Sequence, residues 1–144
     1  MVADGATEGA CTDVSVTNGT CATATPLVGT SGEEDGYLYL AGANLDPGCT
    51  TLGSAGNEVV FSISLTSGQT LSLTADTEAD TVLYILDACD ASECAAVEDE
   101  EIRDPEQLTF NAATAGTYYV VVDFYPLQTI DIPGGYYTLS WSVQ

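Results

Sequence analysis

The chain has 144 residues, 45% of them hydrophobic, and a formal net charge of −21 with Arg103 as its single cation. That length suits one domain with a sizeable core, and the apolar share is too high for a disordered acidic tail. The charge makes nucleic acid and anionic membrane poor partners, because both require neutralised phosphates.

Residues 1–20 are small and polar and read as an arm or linker, leaving 21–144 as the expected domain. TPLVGT (25–30) reads as a short first strand, EEDG (33–36) as a turn and YLYLA (37–41) as a strand. The stretch 44–57 is rich in turn residues and reads as a long loop. The clearest strand is 58–65, where Val59, Phe61, Ile63 and Leu65 share one face and Ser62 and Ser64 the other. Ser67-Gly68-Gln69 then turns the chain into a return strand, Thr70 to Ala75, with Leu71 and Leu73 inward, which together read as a hairpin.

Thr81 to Leu86 is continuously apolar and is expected to be covered on both sides. An acidic, loop-like segment runs from Asp87 to Glu106, and Leu108 and Phe110 mark a short strand. AATAGT (112–117) turns into the strand Tyr118 to Phe124, and TIDIPGG (129–135) turns again. Tyr137, Leu139, Trp141 and Val143 alternate with polar residues in the last strand. No amphipathic helix and no repeat stand out. Seven to eight strands of this kind predict an all-β fold, an antiparallel, jelly-roll-like β-sandwich.

The sequence has no histidine and no lysine. This removes the Ser-His-Asp triad, Cys₂His₂ zinc, Schiff-base chemistry and the P-loop. A pair of catalytic carboxylates, Glu58 and Asp99 for example, is the remaining route to an enzyme, a carboxylate-dependent hydrolase. A small sandwich without insertions offers little room for the cleft such a pair needs, and a non-enzymatic protein is expected.

Five cysteines in a chain of this size point to an oxidising compartment, so a secreted or cell-surface location is expected. The start, MVADGATEGA, lacks the basic and apolar regions of a signal peptide, so the chain reads as a piece of a larger exported protein. No apolar stretch approaches a membrane span, and no membrane insertion is expected. Cys89 and Cys94 follow the buried strand with four residues between them. Zinc would need a second pair or histidines, and redox pairs are usually C-x-x-C at a helix start. A local Cys89–Cys94 disulfide is the plainest reading, with Cys21–Cys49 as a second bridge and Cys11 left over, its partner not fixed by sequence.

Asp76 and Asp80 flank a tight loop, Glu98 and Asp99 open an acidic run, and Asp123 interrupts an apolar strand. An unpaired buried charge is costly, so Asp123 must face outward, pair, or bind a cation. Hard oxygen ligands suit Ca²⁺, yet no EF-hand pattern is present, and a site would have to be assembled from several loops. The competing reading is a solvated acidic surface. Tyr125 and Tyr136 lie beside loops and are the aromatic candidates for binding sugar or peptide.

The order of motifs carries more. Cys21-Ala-Thr-Ala-Thr-Pro-Leu27 is followed by Cys49, GNEVVFSISLTSGQTLSLT (56–74), ADTVLYILDAC (79–89), a second close cysteine, an acidic patch, AGTYYVVVDFY (115–125) and GYYTLSW (135–141). Over residues 20 to 143 this resembles the bacterial pre-peptidase C-terminal domain family, in its disulfide-bearing secreted form. The resemblance implies a jelly-roll-like sandwich serving as a non-catalytic module of an exported protein. It implies Ca²⁺ binding in some members, and collagen or polysaccharide binding in others. Carried over by position, Asp80 opens the DTVLY strand, Asp99 falls in the acidic patch and Asp123 ends the VVD strand. The chain departs from the pattern at Glu98-Asp99-Glu100, where Asn-Asp-Asp is usual, at Phe124, where Gly is usual, and at Glu58, where Asp is usual. The expectation is therefore a Ca²⁺-binding accessory module for adhesion to, or targeting of, extracellular protein or polysaccharide. The alternative is a structural subunit or repeat of a surface assembly.

Overall fold

The computed structural model describes residues 18–37, 58–77, 81–99, 105–124 and 136–144. Within them the chain forms a 3₁₀ turn, Cys21–Thr23, and strands β1 Thr25–Pro26, β2 Ser31–Tyr37, β3 Glu58–Leu65, β4 Thr70–Thr77, β5 Thr81–Leu86, β6 Ala96–Glu98, β7 Glu106–Asn111, β8 Gly116–Phe124 and β9 Tyr136–Val143. A five-stranded sheet in the order β1-β3-β8-β5-β6 faces a four-stranded sheet in the order β2-β9-β4-β7. The pairings are antiparallel except the short β1–β3 contact. This is the β-sandwich that the strand periodicity predicts.

The period of two explains the core. Val59, Phe61, Ile63 and Leu65 of β3 point between the sheets and meet Leu71 and Leu73 of β4, Val120 and Val122 of β8, and Leu139 and Trp141 of β9. β5 is buried at all six positions, as its unbroken apolar run requires. Leu83 and Ile85 join the inter-sheet core, while Val82, Tyr84 and Leu86 join a second apolar layer on the outer face of the same sheet. β6 lies inside the segment 87–106 that reads as a loop, paired to β5 through Ile85↔Ala96, Tyr84↔Val97 and Leu83↔Glu98.

β3 and β4 are not a hairpin. They belong to opposite sheets, and the turn between them is an arch over one end of the core. Gly68 takes φ 92° there, a conformation glycine reaches without steric cost. The turn's backbone bonds outward: Gly68 N–H donates to the Ala112 carbonyl at 2.8 Å, and Thr70 and Gln144 exchange bonds at 2.9 Å. Alternation puts the leucines of both strands on an inward face in either arrangement. It therefore cannot tell a hairpin from an arch.

EEDG is likewise not a turn but the middle of β2. Its flanking glycines are there for space. A Cβ on Gly32 would lie 3.0 Å from the Trp141 ring, and one on Gly36 would lie 3.0 Å from Tyr137. Tyr37, expected to open a strand, closes β2; residues 38–41 and the expected loop 44–57 lie outside the described residues, as does the turn 129–135. On the far side of β3, Asn18 is buried and its carbonyl accepts from Val60 N–H at 2.8 Å, so the chain is already docked at the end of the segment expected to be an arm.

Tyr137 is buried beneath β2, edge-on to Phe61 with ring centroids 6.1 Å apart. Loss of solvation pushes its phenol up from 10.0 to about 12, opposed by a hydrogen bond with Asn18 and reinforced by the Glu34 and Asp35 charges. The folded state thus holds the phenolic proton more tightly than the unfolded chain. Its contribution to stability is complete below the unfolded value of 10.0 and is lost as pH rises through about 12. Urea midpoints should therefore fall more steeply across this window in the native chain than in Tyr137→Phe. Parallel pH profiles would contradict the assignment.

Candidate functional site

The outer face of the five-stranded sheet carries ordered cross-strand rows. Glu58, Asp123 and Val82 stand side by side on β3, β8 and β5, followed by Val60, Val121 and Tyr84, then Ser62, Tyr119 and Leu86. A cover lies on this face: buried Cys21, with Ala24, Ala91 and Cys94 packed around Val60, Val82, Tyr84 and Val121. The cover thins along β3, where Glu58 and Val60 are buried, Ser62 half-buried and Ser64 exposed.

The first row is the chemically unusual one. Glu58 and Asp123 are both at 0% exposure, directly opposite each other on neighbouring strands. The Tyr84 hydroxyl donates to Asp123 Oδ2 at 3.1 Å. Like charges directly across a sheet repel, and burial strengthens the repulsion. Such a pair favours a shared proton or a cation with oxygen ligands. The chain's lone cationic side chain, Arg103, lies outside the described residues.

A third fully buried carboxylate, Glu106, begins β7 opposite Ala75 and faces the sandwich interior. Near it the Thr77 and Thr81 hydroxyls are buried 3.5 Å apart. Glu98 is half-buried at the end of β6 opposite Leu83. These positions share one pole of the sandwich, because β3, β5, β7 and β9 start there and β4, β6 and β8 end there. The chain reaches the undescribed connections 38–57, 78–80, 100–104 and 125–135 from the same pole.

The expected ligand set is therefore spread over several faces. Asp123 is on the covered outer face of one sheet. Asp76 is exposed on the outer face of the other, opposite Thr138. Glu98 lies along the inward edge, with half-buried Asp99 following it. Asp80 lies outside the described residues. Among the described residues no group of three or more acidic or cysteine side chains could hold a metal ion by itself. Glu58, Glu106 and Tyr84 were not among the expected ligands. The one sequence signal for the two glutamates is a carboxylate placed at the start of a strand otherwise patterned for burial. Tyr136 is 37% exposed at the start of β9, and Tyr125 lies outside the described residues.

The disulfide differs from the sequence reading. Cys21 pairs with Cys89, with Cα atoms 5.6 Å apart and a separation of 68 residues. Cys89–Cys94 and Cys21–Cys49 are therefore not the bridges formed. The 3₁₀ turn sets Cys21 on the outer layer beside the chain leaving β5, and this long-range proximity cannot be read from spacing. Cys94 is itself in a disulfide, whose partner lies outside the described residues, as do Cys11 and Cys49.

No helix among the described residues is long and apolar enough to cross a membrane. No curated protein matches the sequence. Two solved relatives in fold are periplasmic inhibitors of g-type lysozyme. PliG of Aeromonas hydrophila is 14% identical with TM-score 0.58, covering 84% of this chain and 96% of that one. PliG of Salmonella Typhimurium is 11% identical with TM-score 0.50, covering 85% and 100%. A third is the pre-peptidase C-terminal domain of a Bacillus anthracis collagenase, 19% identical with TM-score 0.53, covering 84% and 94%. At these identities the likeness is one of fold. The family model for the bacterial pre-peptidase C-terminal domain matches from Asn57 through the buried carboxylate row to Asp123. Over residues 57–123 the chain is thus similar to the bacterial pre-peptidase C-terminal domain family.

Proposed function

We propose that this chain is a non-catalytic binding module of an exported protein, which engages an extracellular protein or polysaccharide and is stabilised by Ca²⁺ at its acidic pole. One observation carries the reading. Glu58 and Asp123, directly opposite each other on neighbouring strands, are sealed at 0% exposure within a sheet layer rather than held across an open cleft. Paired-carboxylate hydrolysis needs a substrate and a water between its acid and base, and a buried cross-strand pair has no place for them. An open hollow of about 310 Å³ on the described surface is lined by Pro26–Gly29 and Ser62–Ser64 and carries no titratable side chain.

The donor set fits Ca²⁺ in chemistry. Glu58 and Asp123 offer hard oxygens, and Ca²⁺ takes six to eight such ligands. Bound Ca²⁺ would supply the positive charge that this pair of carboxylates favours. The family's occurrence beside a collagenase and the lysozyme-inhibiting relatives of the fold support a recognition role. A net charge of −21 favours a basic protein partner over an acidic one.

Thermal unfolding in excess EDTA and then in Ca²⁺ tests the cation. A ligand present at about 100 times its dissociation constant adds roughly 2.7 kcal/mol to the folded state, so the midpoint should rise clearly. An unchanged midpoint removes Ca²⁺ from the reading. Co-sedimentation with insoluble collagen and polysaccharide, and inhibition of g-type lysozyme, test the recognition role. Failure in all three assays contradicts it.

A further inference from the structure

We propose that the outer edge of β2 is a docking strand for an extended, basic segment of a partner protein, which adds to the four-stranded sheet with cationic side chains at alternate positions. This rests on the binding-module reading and names its partner chemistry.

β2 ends the four-stranded sheet among the described residues, and its only strand neighbour there is β9. Val143 N–H donates to the Thr30 carbonyl at 2.7 Å. That bond sets the phase of the ladder, because the N–H and C=O of a strand residue point to the same side and alternate along the chain. Gly32, Glu34 and Gly36 therefore turn their backbone groups to β9, and Ser31, Glu33 and Asp35 turn theirs outward. All three of these residues are exposed. The open edge thus presents a donor and an acceptor at every second residue, the arrangement an added strand requires.

The side chains select the occupant. Glu33 and Asp35 project from the outer face of the sheet opposite Ser140 and Thr138. Ser140 Oγ donates to Glu33 Oε2 at 3.3 Å, which holds that carboxylate at the edge. Residues of an added strand directly opposite Glu33 and Asp35 would share their face, within cross-strand reach. Lys or Arg at those alternate positions pairs with both carboxylates. A second copy of this chain would bring the same acidic edge against itself, and the −21 charge opposes that contact. On the inward side, Gly32 and Gly36 lie flat on Trp141 and Tyr137, so no side chain from these positions obstructs the approach.

Trp141, the single tryptophan, lies under Gly32 and reports on the edge by its fluorescence. The test titrates the chain with a peptide alternating Thr and Lys over seven residues, the length of β2. Controls are a peptide of the same composition with its lysines grouped, one alternating Thr and Glu, and one N-methylated at the backbone amides facing the edge. The expected result is binding of the alternating-lysine peptide with a shift of Trp141 emission, weakened by salt. Binding should fall about tenfold or more on N-methylation, through loss of several backbone bonds. The double variant Glu33→Lys with Asp35→Lys should transfer preference to the glutamate peptide. Asp87→Lys with Asp90→Lys makes the same charge change on exposed positions of a different loop, and should leave binding unchanged.

Absence of binding overturns the proposal. So does equal binding of the grouped-lysine or N-methylated peptide, or equal loss in the Asp87/Asp90 variant, since each means charge attraction without strand addition. Self-association by sedimentation that disappears in the Glu33/Asp35 variant gives the edge to a second copy and also overturns it. If the peptides fail while the chain still binds collagen, polysaccharide or g-type lysozyme, the edge proposal falls and the binding-module reading stands.

Discussion

Replacing both Cys21 and Cys89 by serine should lower stability in urea by about 4 kcal/mol, the loop-closure entropy expected for a crosslink of this span. The bridge closes 68 residues of chain, from the 3₁₀ turn through β1 to β5. It ties the covering segment to the outer face of the five-stranded sheet, so its loss frees both the cover and the strands beneath. A local bridge between Cys89 and Cys94 would span only five residues of sequence, and the same relation gives it about 2 kcal/mol. The double variant is preferable to either single change, which would leave a free thiol to exchange with the Cys94 disulfide. Peptide mapping under non-reducing conditions should recover Cys21 linked to Cys89. Recovery of Cys89 with Cys94, or a loss nearer the local-loop figure, would refute the long-range bridge.

Asp123→Ala should cost about 3 kcal/mol or more. It removes the Asp123 acceptor that the Tyr84 hydroxyl uses at a site of 0% exposure, and it opens a void beside Glu58. Tyr84→Phe should cost less, about 1.5–3 kcal/mol for one hydrogen bond to a charged acceptor. Asp123→Asn is the informative variant. It keeps an oxygen for Tyr84 while removing one of the two facing charges. In EDTA it should be more stable than Asp123→Ala, because an acceptor for Tyr84 and the side-chain volume are kept. In Ca²⁺ it should lose the stabilisation that the native chain gains. Urea titrations under both conditions separate the outcomes. An Asn variant that keeps the full Ca²⁺ response removes Asp123 from the cation site.

What was legible in the sequence follows from the locality of the signal. Val59, Phe61, Ile63 and Leu65 declare an inward face because side chains alternate along a strand whatever lies beside it. Thr81 to Leu86 declares burial on both faces for the same reason. The spacing of these strands and their turns also carries the family, which the match over residues 57–123 bears out. Asp123 stands out as a charge in an apolar strand and Glu58 as a departure from the family pattern, but that the two face each other is not legible, since 64 intervening residues separate the positions in sequence.

Sequence alone determined the all-β class, the inward faces of β3, β4 and β9, and the enzyme chemistries closed to a chain without histidine or lysine. Tertiary structure decided which strands are neighbours. It turned the β3–β4 hairpin into an arch, drew Glu33–Gly36 into an edge strand because Gly32 and Gly36 fit against aromatic rings, joined Cys21 to Cys89, and set Glu58 against Asp123. The physical reason is common to all four. Alternation fixes the direction of each side chain from local geometry, whereas pairing, register and crosslinks depend on which distant segments the collapsed core brings together.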